Sequence, residues 1–206
     1  MRHFYRIEQN DPAFNLALEQ TILARTDAPA FSLWRNAPSV IIGRNQNAQA
    51  EVDLPLLAER GIRLVRRETG GGAVYHDLGN VNFSFFSFLK EGERFPAFED
   101  FLFPMIEILR SFGVEAEFSG RNDISVAGRK VSGCAKCVHD GRILFHGTLL
   151  FDCDLDAMEA VLSPPECKLQ ARGVRSVRSR VMNLKERLPD WDADRFFDET
   201  MRAVLK

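Results

Sequence analysis

Three consecutive glycines, Gly70, Gly71 and Gly72, follow the paired cations Arg66 and Arg67 after two intervening residues, and Tyr75 and His76 come soon after. Glycine lets a backbone take dihedrals closed to other residues and brings N–H groups close to a ligand. Successive N–H groups in such a turn suit an anion, and the two arginines stand ready for charge-assisted contacts beside it. The same pattern also fits a tight hairpin whose glycines serve geometry alone. Two generic nucleotide signatures are excluded: no Gly-Lys-Ser/Thr follows, and no Gly-x-Gly-x-x-Gly opens a helix here. The residues by themselves therefore give an anion-binding turn or a plain hairpin.

A second group surrounds Lys130. Asn122 and Asp123 precede it, and Gly128 and Gly133 flank it in what reads as a tight hairpin. The ammonium of Lys130 is either a solvated charge on that hairpin or a fixed cation for a site. Asp123 is either a site carboxylate or a strand-edge acid capping a turn. His146 faces the same way as Thr148 in a long strand and reads either as a packed histidine or as a site residue. Cys134 and Cys137 form a Cys-x-x-Cys pair with His139 nearby. Cys153 and Cys167 do not repeat that spacing, which disfavours a structural zinc site. His76 and Asp77 point to opposite sides of an extended chain and make poor triad material.

The elements that must position these residues follow from local signals. Asp11-Pro12 opens a helix running to about Arg25, with Asp as cap and Pro at the first helical position. Phe31–Arg35 and Ser39–Gly43 read as strands joined by a turn at Asn36–Pro38. Glu51–Arg60 reads as a helix stopped by Gly61. Ile62–Arg67 alternates as a strand, with Ile62, Leu64 and Arg66 on one side. Ala73–His76 and Val81–Phe88 are further strands. Phe98 to Phe112 has helical spacing stopped by Gly113, and Pro104 must sit near its start or kink it. Asp123–Val126 and Arg129–Ser132 flank the turn pair Ala127-Gly128, and Asp140-Gly141 precedes a long strand, Arg142–Phe151. Leu155–Leu162 is a short helix and Asp194–Leu205 an amphipathic one. Strands that cluster while helices interrupt irregularly indicate α+β with a mixed or antiparallel sheet flanked by helices, in one domain over residues 1–206.

Composition narrows the function classes. With 27 Lys+Arg against 29 Asp+Glu, the net charge of −2 argues against a chain built mainly to grip nucleic acid. No segment approaches the ~18–20 apolar residues of a membrane span, and the N-terminus lacks a signal-peptide run. Four cysteines are too few for a disulfide framework, so a cytoplasmic setting is expected.

The whole string RRETGGGAVYHDLGNVNF carries more than its glycines. It resembles the signature of lipoate–protein ligases and their lipoyltransferase relatives. SLWRNAPSVIIGRNQN, SGRNDISVAGRKVSG, HGTLL and RGVRSVRSRVMNL agree in the family's order, from about Asp11 to Leu184. The resemblance implies the fold shared by biotin protein ligases and class II aminoacyl-tRNA synthetases. It implies ATP-dependent activation of lipoate to lipoyl-AMP, with Mg2+, and transfer to one lysine of a carrier. The carriers implied are lipoyl domains of 2-oxoacid dehydrogenase acyltransferase subunits and the glycine-cleavage H protein.

Residue by residue, the resemblance places Arg67, Gly72, Ala73, Val74 and Tyr75 at the nucleotide and adenylate. It puts Asn122 and Asp123 beside the phosphates, with Asp123 as the candidate magnesium contact, and Lys130 on both the lipoyl carbonyl and the phosphate. Gly43, Arg44 and His146 would border the lipoyl pocket, and the strands Val40–Ile42 and Val81–Phe88 either wall an acyl tunnel or are ordinary core. Arg172, Arg175, Arg178 and Arg180 would lie near the adenylate and greet acidic carriers. Long ligases continue into a small accessory domain. That domain is expected to be absent here, which raises a separate accessory subunit for activation. The rival readings are an octanoyl- or lipoyltransferase using a Cys167 thioester or premade lipoyl-AMP, and a non-catalytic lipoyl-binding subunit.

Overall fold

The computed structural model describes residues 1–89, 92, 95–120, 122–162 and 181–206. Two sheets carry the site. The larger has seven strands in the order β1 (His3–Arg6), β2 (Ala30–Trp34), β6 (Asn80–Phe88), β10 (Arg142–Leu150), β9 (Arg129–His139), β8 (Asp123–Val126) and β7 (Ala116–Phe118). Only β1 and β2 run parallel; the other neighbours are antiparallel. The smaller sheet orders β4 (Arg63–Arg66), β3 (Ser39–Ile42) and β5 (Val74–His76), with β3 parallel to β4 and antiparallel to β5. The α+β class with a mixed sheet is as expected, but there are two sheets. Strands β2 and β3, adjacent in sequence across Asn36–Pro38, belong to different ones.

Register sorts the side chains of the large sheet. His146 sits opposite Ser84 and Ala135, Thr148 opposite Asn82, and Asn82 opposite Trp34. Because alternate residues share a face, Ser32, Trp34, Asn80, Asn82, Ser84, His146 and Thr148 point one way. Phe31, Leu33, Val81, Phe83, Phe85, Phe145 and Leu149 point the other way, into the main core. There they meet α4 (Glu99–Ser111) through Leu102, Met105, Ile106 and Leu109, and α6 (Ala193–Val204) through Phe196 and Phe197. The Phe101 and Phe145 rings stack at 4.7 Å. The polar face is covered by α1 (Pro12–Arg25). A separate core packs α3 (Leu54–Glu59) and α5 (Leu155–Val161) against the small sheet, with Val40, Ile42, Leu57, Tyr75, Met158 and Val161 buried.

Local chemistry sets the helix starts. Asp11, Asp53, Asp154 and Asp192 each accept a hydrogen bond from the third helical residue: Phe14, Leu56, Ala157 and Arg195. Asp53 also corrects one expectation. The short α2 (Ala48–Glu51) ends at Val52 and Asp53 then caps α3, so Glu51–Arg60 is not one helix. Gly61 still closes it, at φ 63°. Ala127-Gly128 and Asp140-Gly141 all have positive φ, the type I′ geometry their composition suggested. Pro104 lies inside α4 on its exposed side, where solvent can meet the carbonyl it leaves unpaired.

Candidate active site

The glycine loop is not a hairpin. β4 and β5 lie on opposite sides of β3, so residues 67–73 cross the end of β3. Arg67 ties that crossing down. Its Nε donates to Thr69 Oγ1 at 3.0 Å, its Nη1 to the Ile41 carbonyl at 3.0 Å, and its Nη2 to the carbonyls of Gly70 and Gly72 at 2.8 and 2.7 Å. Burial lowers its pKa to about 10, partly opposed by the charge of Glu19. Arg66 does the same for the neighbouring loop: its Nη1 donates to the carbonyls of Gly43, Arg44 and Gln46. The sequence suggested two arginines free for an anion. The structure engages both with backbone carbonyls, Arg66 through Nη1 alone, because loops that cross a strand end leave carbonyls without ladder partners. Gly43 permits the close approach: a Cβ there would lie 2.2 Å from Gly71 O.

Thr69, itself fully buried, links this clamp to a buried polar chain. His146 Nε2 is 2.8 Å from Thr69 Oγ1, and His146 Nδ1 is 3.0 Å from both Glu19 carboxylate oxygens. Ser84 Oγ donates to Glu19 Oε1 at 2.6 Å and accepts from Trp34 Nε1 at 3.1 Å. Glu19 is 2% exposed and offsets the nearby Arg67 charge. The chain closes when His146 carries its proton on Nδ1 and accepts the Thr69 hydroxyl proton at Nε2. Glu19 and Thr69 were not among the sequence candidates. A signal for Glu19 existed: it shares the buried stripe Asn15, Leu16, Ile22 and Leu23 of α1, where a lone carboxylate needs a partner.

Lys130 occupies the hairpin that the sequence indicated. Its Nζ is 2.8 Å from Asp123 Oδ1, an ion-pair contact, and it overlies Gly133, where a Cβ would lie 2.9 Å from the ammonium nitrogen. Its backbone is fixed from two sides. A register shift beside Ser125 locally bends the β8–β9 pairing, and Met182 N donates to Lys130 O at 3.0 Å.

Two cavities meet here. The first, about 160 Å³, lies between the polar face of the large sheet and the small sheet, with Leu16, Trp34, Ile41, His76, Asn82 and His146 in its wall. The second, about 590 Å³, is lined by Tyr75, Ser119, Asp123, Ser125, Leu150 and Met158 among others. Ala73, Val74, Lys130, Gly133 and Thr148 line both. Gly72, Arg67 and Asn122 belong to the first; Asn122 Nδ2 donates to Cys134 O at 2.6 Å. His146 lines the first cavity. Gly43 and Arg44 line neither: Gly43 backs Gly71, and Arg44 is exposed. Of Val40–Ile42 and Val81–Phe88, Ile41 and Asn82 reach the cavity, and most of the rest are core.

Among the described residues no group of three or more His, Cys, Asp and Glu could hold a metal. A lone carboxylate such as Asp123 suits Mg2+ only in the mode where phosphates complete the coordination. Burial pushes the thiol of Cys134 up to about 12 and that of Cys137 up to about 11, and Cys153 also lies well above its ordinary value for the same reason. Those three are poor nucleophiles at neutral pH. Cys167, Arg172, Arg175, Arg178 and Arg180 lie outside the described residues. No described helix is long and apolar enough to cross a membrane.

Residues 11–205 match the sequence pattern of the lipoyl protein ligase A/B catalytic domain. The chain is 48% identical to lipoate-protein ligase LplJ of Bacillus subtilis over 183 residues, covering 88% of this chain and 55% of that protein. It is 43% identical to lipoate–protein ligase 1 of Staphylococcus aureus over 182 residues, 87% of this chain and 55% of that one. The chain thus spans about half the length of the curated relatives it matches. Among solved structures, a lipoate-protein ligase A bound with ATP superposes with a TM-score of 0.84 at 31% identity, covering 98% of this chain and 83% of that one. The bi-partite lipoate protein ligase of Thermoplasma acidophilum, described with its E2 lipoyl domain, gives 0.82 at 32% identity, covering 98% and 81%. Biotin protein ligase of Aquifex aeolicus shares the fold, with a TM-score of 0.53 at 14% identity.

Proposed function

Because this chain belongs to the lipoyl protein ligase A/B catalytic domain family, we propose that it binds lipoate in the first cavity and ATP in the second. It joins them as lipoyl-AMP and passes the lipoyl group to a lysine of a carrier lipoyl domain. The observation that carries this reading is the position of Lys130 in the wall common to both cavities. A carboxylate in one cavity and an α-phosphate in the other would meet beside its ammonium.

The chemistry has two steps. A lipoate carboxylate oxygen attacks the α-phosphorus, a P–O bond forms, and pyrophosphate leaves with the electrons of the broken bond. Two anions must approach, and Lys130 offsets their repulsion. The carrier amine then attacks the acyl carbonyl, loses a proton, and AMP leaves. Charge grows on the carbonyl oxygen in that step, where a fixed cation is most useful. Asp123 and the bare backbone of Gly133 hold the ammonium at the junction. Arg67, committed to the loop, sets the shape of Gly70–Gly72 and shapes the path of Ala73–Tyr75 along the adenylate. Mg2+, held by ATP phosphates with Asp123 as the protein contact, would supply further charge neutralisation.

The relative from Thermoplasma acidophilum is described as bi-partite and was solved in a study with its E2 lipoyl domain. That supports an E2 lipoyl domain, that of a 2-oxoacid dehydrogenase acyltransferase subunit, as an acceptor; the glycine-cleavage H protein is proposed beside it. The bi-partite description also supports a second polypeptide unit contributing to activation. The setting we propose is the cytoplasm. The test is incubation with ATP, magnesium, lipoate and an apo lipoyl domain, followed by mass spectrometry of adenylate and carrier. The expected outcome is one lipoylated lysine per carrier, from ATP and lipoate or from supplied lipoyl-AMP. A chain that modifies the carrier from neither source overturns the reading. Loss of transfer in Cys167→Ser with Lys130→Ala unaffected would replace it with a thioester transferase.

A further inference from the structure

Pairing of β9 with β10 runs from His139 opposite Arg142 to Cys134 opposite Gly147 and stops there. Past that point a side chain stands in for the ladder: the Thr148 hydroxyl accepts from Gly133 N at 3.2 Å. Lys130 lies further along β9, with Ser125 of β8 on one side. Its other side is taken by a segment from late in the chain. Val181 forms a parallel bridge with Lys130, and Met182 N donates to Lys130 O at 3.0 Å.

The same segment is tied to residues 151–153, just past the end of β10, so it fills a fork between the two strands. Lys185 N donates to Phe151 O at 3.0 Å. Asn183 makes the other tie with its side chain. Its Nδ2 donates to Cys153 O at 2.9 Å, and its Oδ1 accepts from Cys153 N at 3.0 Å. A carbonyl only accepts and a backbone N–H only donates, so the amide has one orientation. Cys153 is buried, and its two backbone groups would be costly to leave without partners. The neighbours of Asn183 key into both cores: Val181 into that of the small sheet, Met182 and Leu184 into the main one. An asparagine that closes a loop is ordinary. This one stands next to the residue whose N–H holds the backbone of Lys130.

We propose that Asn183 is a positioning residue for acyl transfer: by bonding both backbone groups of Cys153 it holds residues 181–185 in the fork, and through the Met182–Lys130 bond it holds the Lys130 ammonium at the joint of the two cavities. This rests on the role given to Lys130 above. Asp123 fixes the end of that side chain, and Asn183 fixes the backbone from which it springs. Val181 and Lys130 both line the second cavity, so a slipped segment moves cavity wall and ammonium together. A misplacement on the order of 1 Å can cost about 10²-fold in rate.

The test is a double-mutant cycle on single-turnover transfer from supplied lipoyl-AMP to an apo lipoyl domain. It compares wild type, Asn183→Ala, Lys130→Ala and the double variant, each verified as folded by circular dichroism. Asn183→Ala is expected to transfer roughly 10-fold or more slowly than wild type. In the Lys130→Ala background the same substitution should change the rate by no more than about 2-fold, because the group it positions is gone. A merely structural asparagine gives the same loss in both backgrounds. That result, or an undiminished rate in Asn183→Ala, overturns the proposal. Where Asn183→Ala does not fold, Asn183→Ser takes its place in the cycle and is read the same way. Lys130→Ala at the wild-type rate removes the Lys130 reading itself, and this inference with it.

Discussion

His146 Nδ1 lies 3.0 Å from both carboxylate oxygens of Glu19, a residue on a different element 127 positions away. Through Thr69 that pair is joined to Arg67 and so to the carbonyls of the glycine loop. The loop's shape is thus anchored in the wall of the first cavity. Thr69→Val keeps the volume and removes the hydroxyl, leaving His146 Nε2 without its partner and Arg67 Nε with only the longer, 3.3 Å contact to the Gly70 carbonyl. The expected cost is about 1–3 kcal/mol of stability, with carrier transfer down roughly 10-fold or more as the loop loosens. Thr69→Ser restores the hydroxyl and both properties. Urea unfolding and transfer kinetics on the two variants check this; wild-type behaviour of Thr69→Val would show that the chain is not used.

The loop's approach to β3 makes a second, sharply local prediction. Gly43→Ala drives a methyl into Gly71 O, whereas a Cβ at Gly70 meets nothing within 4 Å. Gly43→Ala should lose about 1–3 kcal/mol of stability and most transfer activity. Gly70→Ala should stay near wild type in both. Side-by-side thermal melts and carrier-modification rates distinguish them, and equal effects of the two would contradict the loop geometry.

Acid should destabilise the protein through His76. Its folded pKa, about 3, lies below the ordinary histidine value near 6.5. The unfolded chain therefore binds a proton that the folded chain refuses. The stabilising difference is fully present above about pH 6.5 and is lost as pH falls through the window toward about 3. The slope approaches roughly 1.4 kcal/mol per pH unit. Denaturant unfolding at about pH 7.5 and about pH 5 measures it. His76→Phe should flatten that part of the profile; an unchanged slope in the variant would assign the effect elsewhere.

The cysteines of the described chain should be slow to react. The thiols of buried Cys134 and Cys153 and half-buried Cys137 have raised pKa values and carry little thiolate near pH 8. Iodoacetamide labelling, read by peptide mass spectrometry, should be at least about 10-fold slower at these three in the native chain than in denaturant. Rapid native labelling of Cys134 would contradict its packing.

What the sequence disclosed, and what it hid, divides along local and non-local lines. The Asp11-Pro12 start, the Ala127-Gly128 and Asp140-Gly141 turns and the Lys130 hairpin are set by neighbouring residues, and the structure has them where expected. Strands β1 and β7 escaped notice. They are short sheet edges, and the exposure along His3–Arg6 has no strict alternation to read. The splitting of β2 and β3 between two sheets depends on partners far away in sequence. So does the engagement of Arg66 and Arg67: their roles turn on β4 and β5 flanking β3, which no local pattern encodes. Glu19 was visible only as a charge on an apolar helical stripe, and Thr69 carried no signal beyond its place in the glycine-rich string.

In the function proposed here, Lys130, at the joint of the two cavities, offsets the charge that develops during acyl transfer. Single-turnover transfer from supplied lipoyl-AMP to an apo lipoyl domain isolates that step from activation. Lys130→Ala, verified as folded by circular dichroism, should transfer roughly 10²–10³-fold more slowly than wild type, the loss typical of one oxyanion-stabilising group. Transfer within a few-fold of wild type would contradict the account.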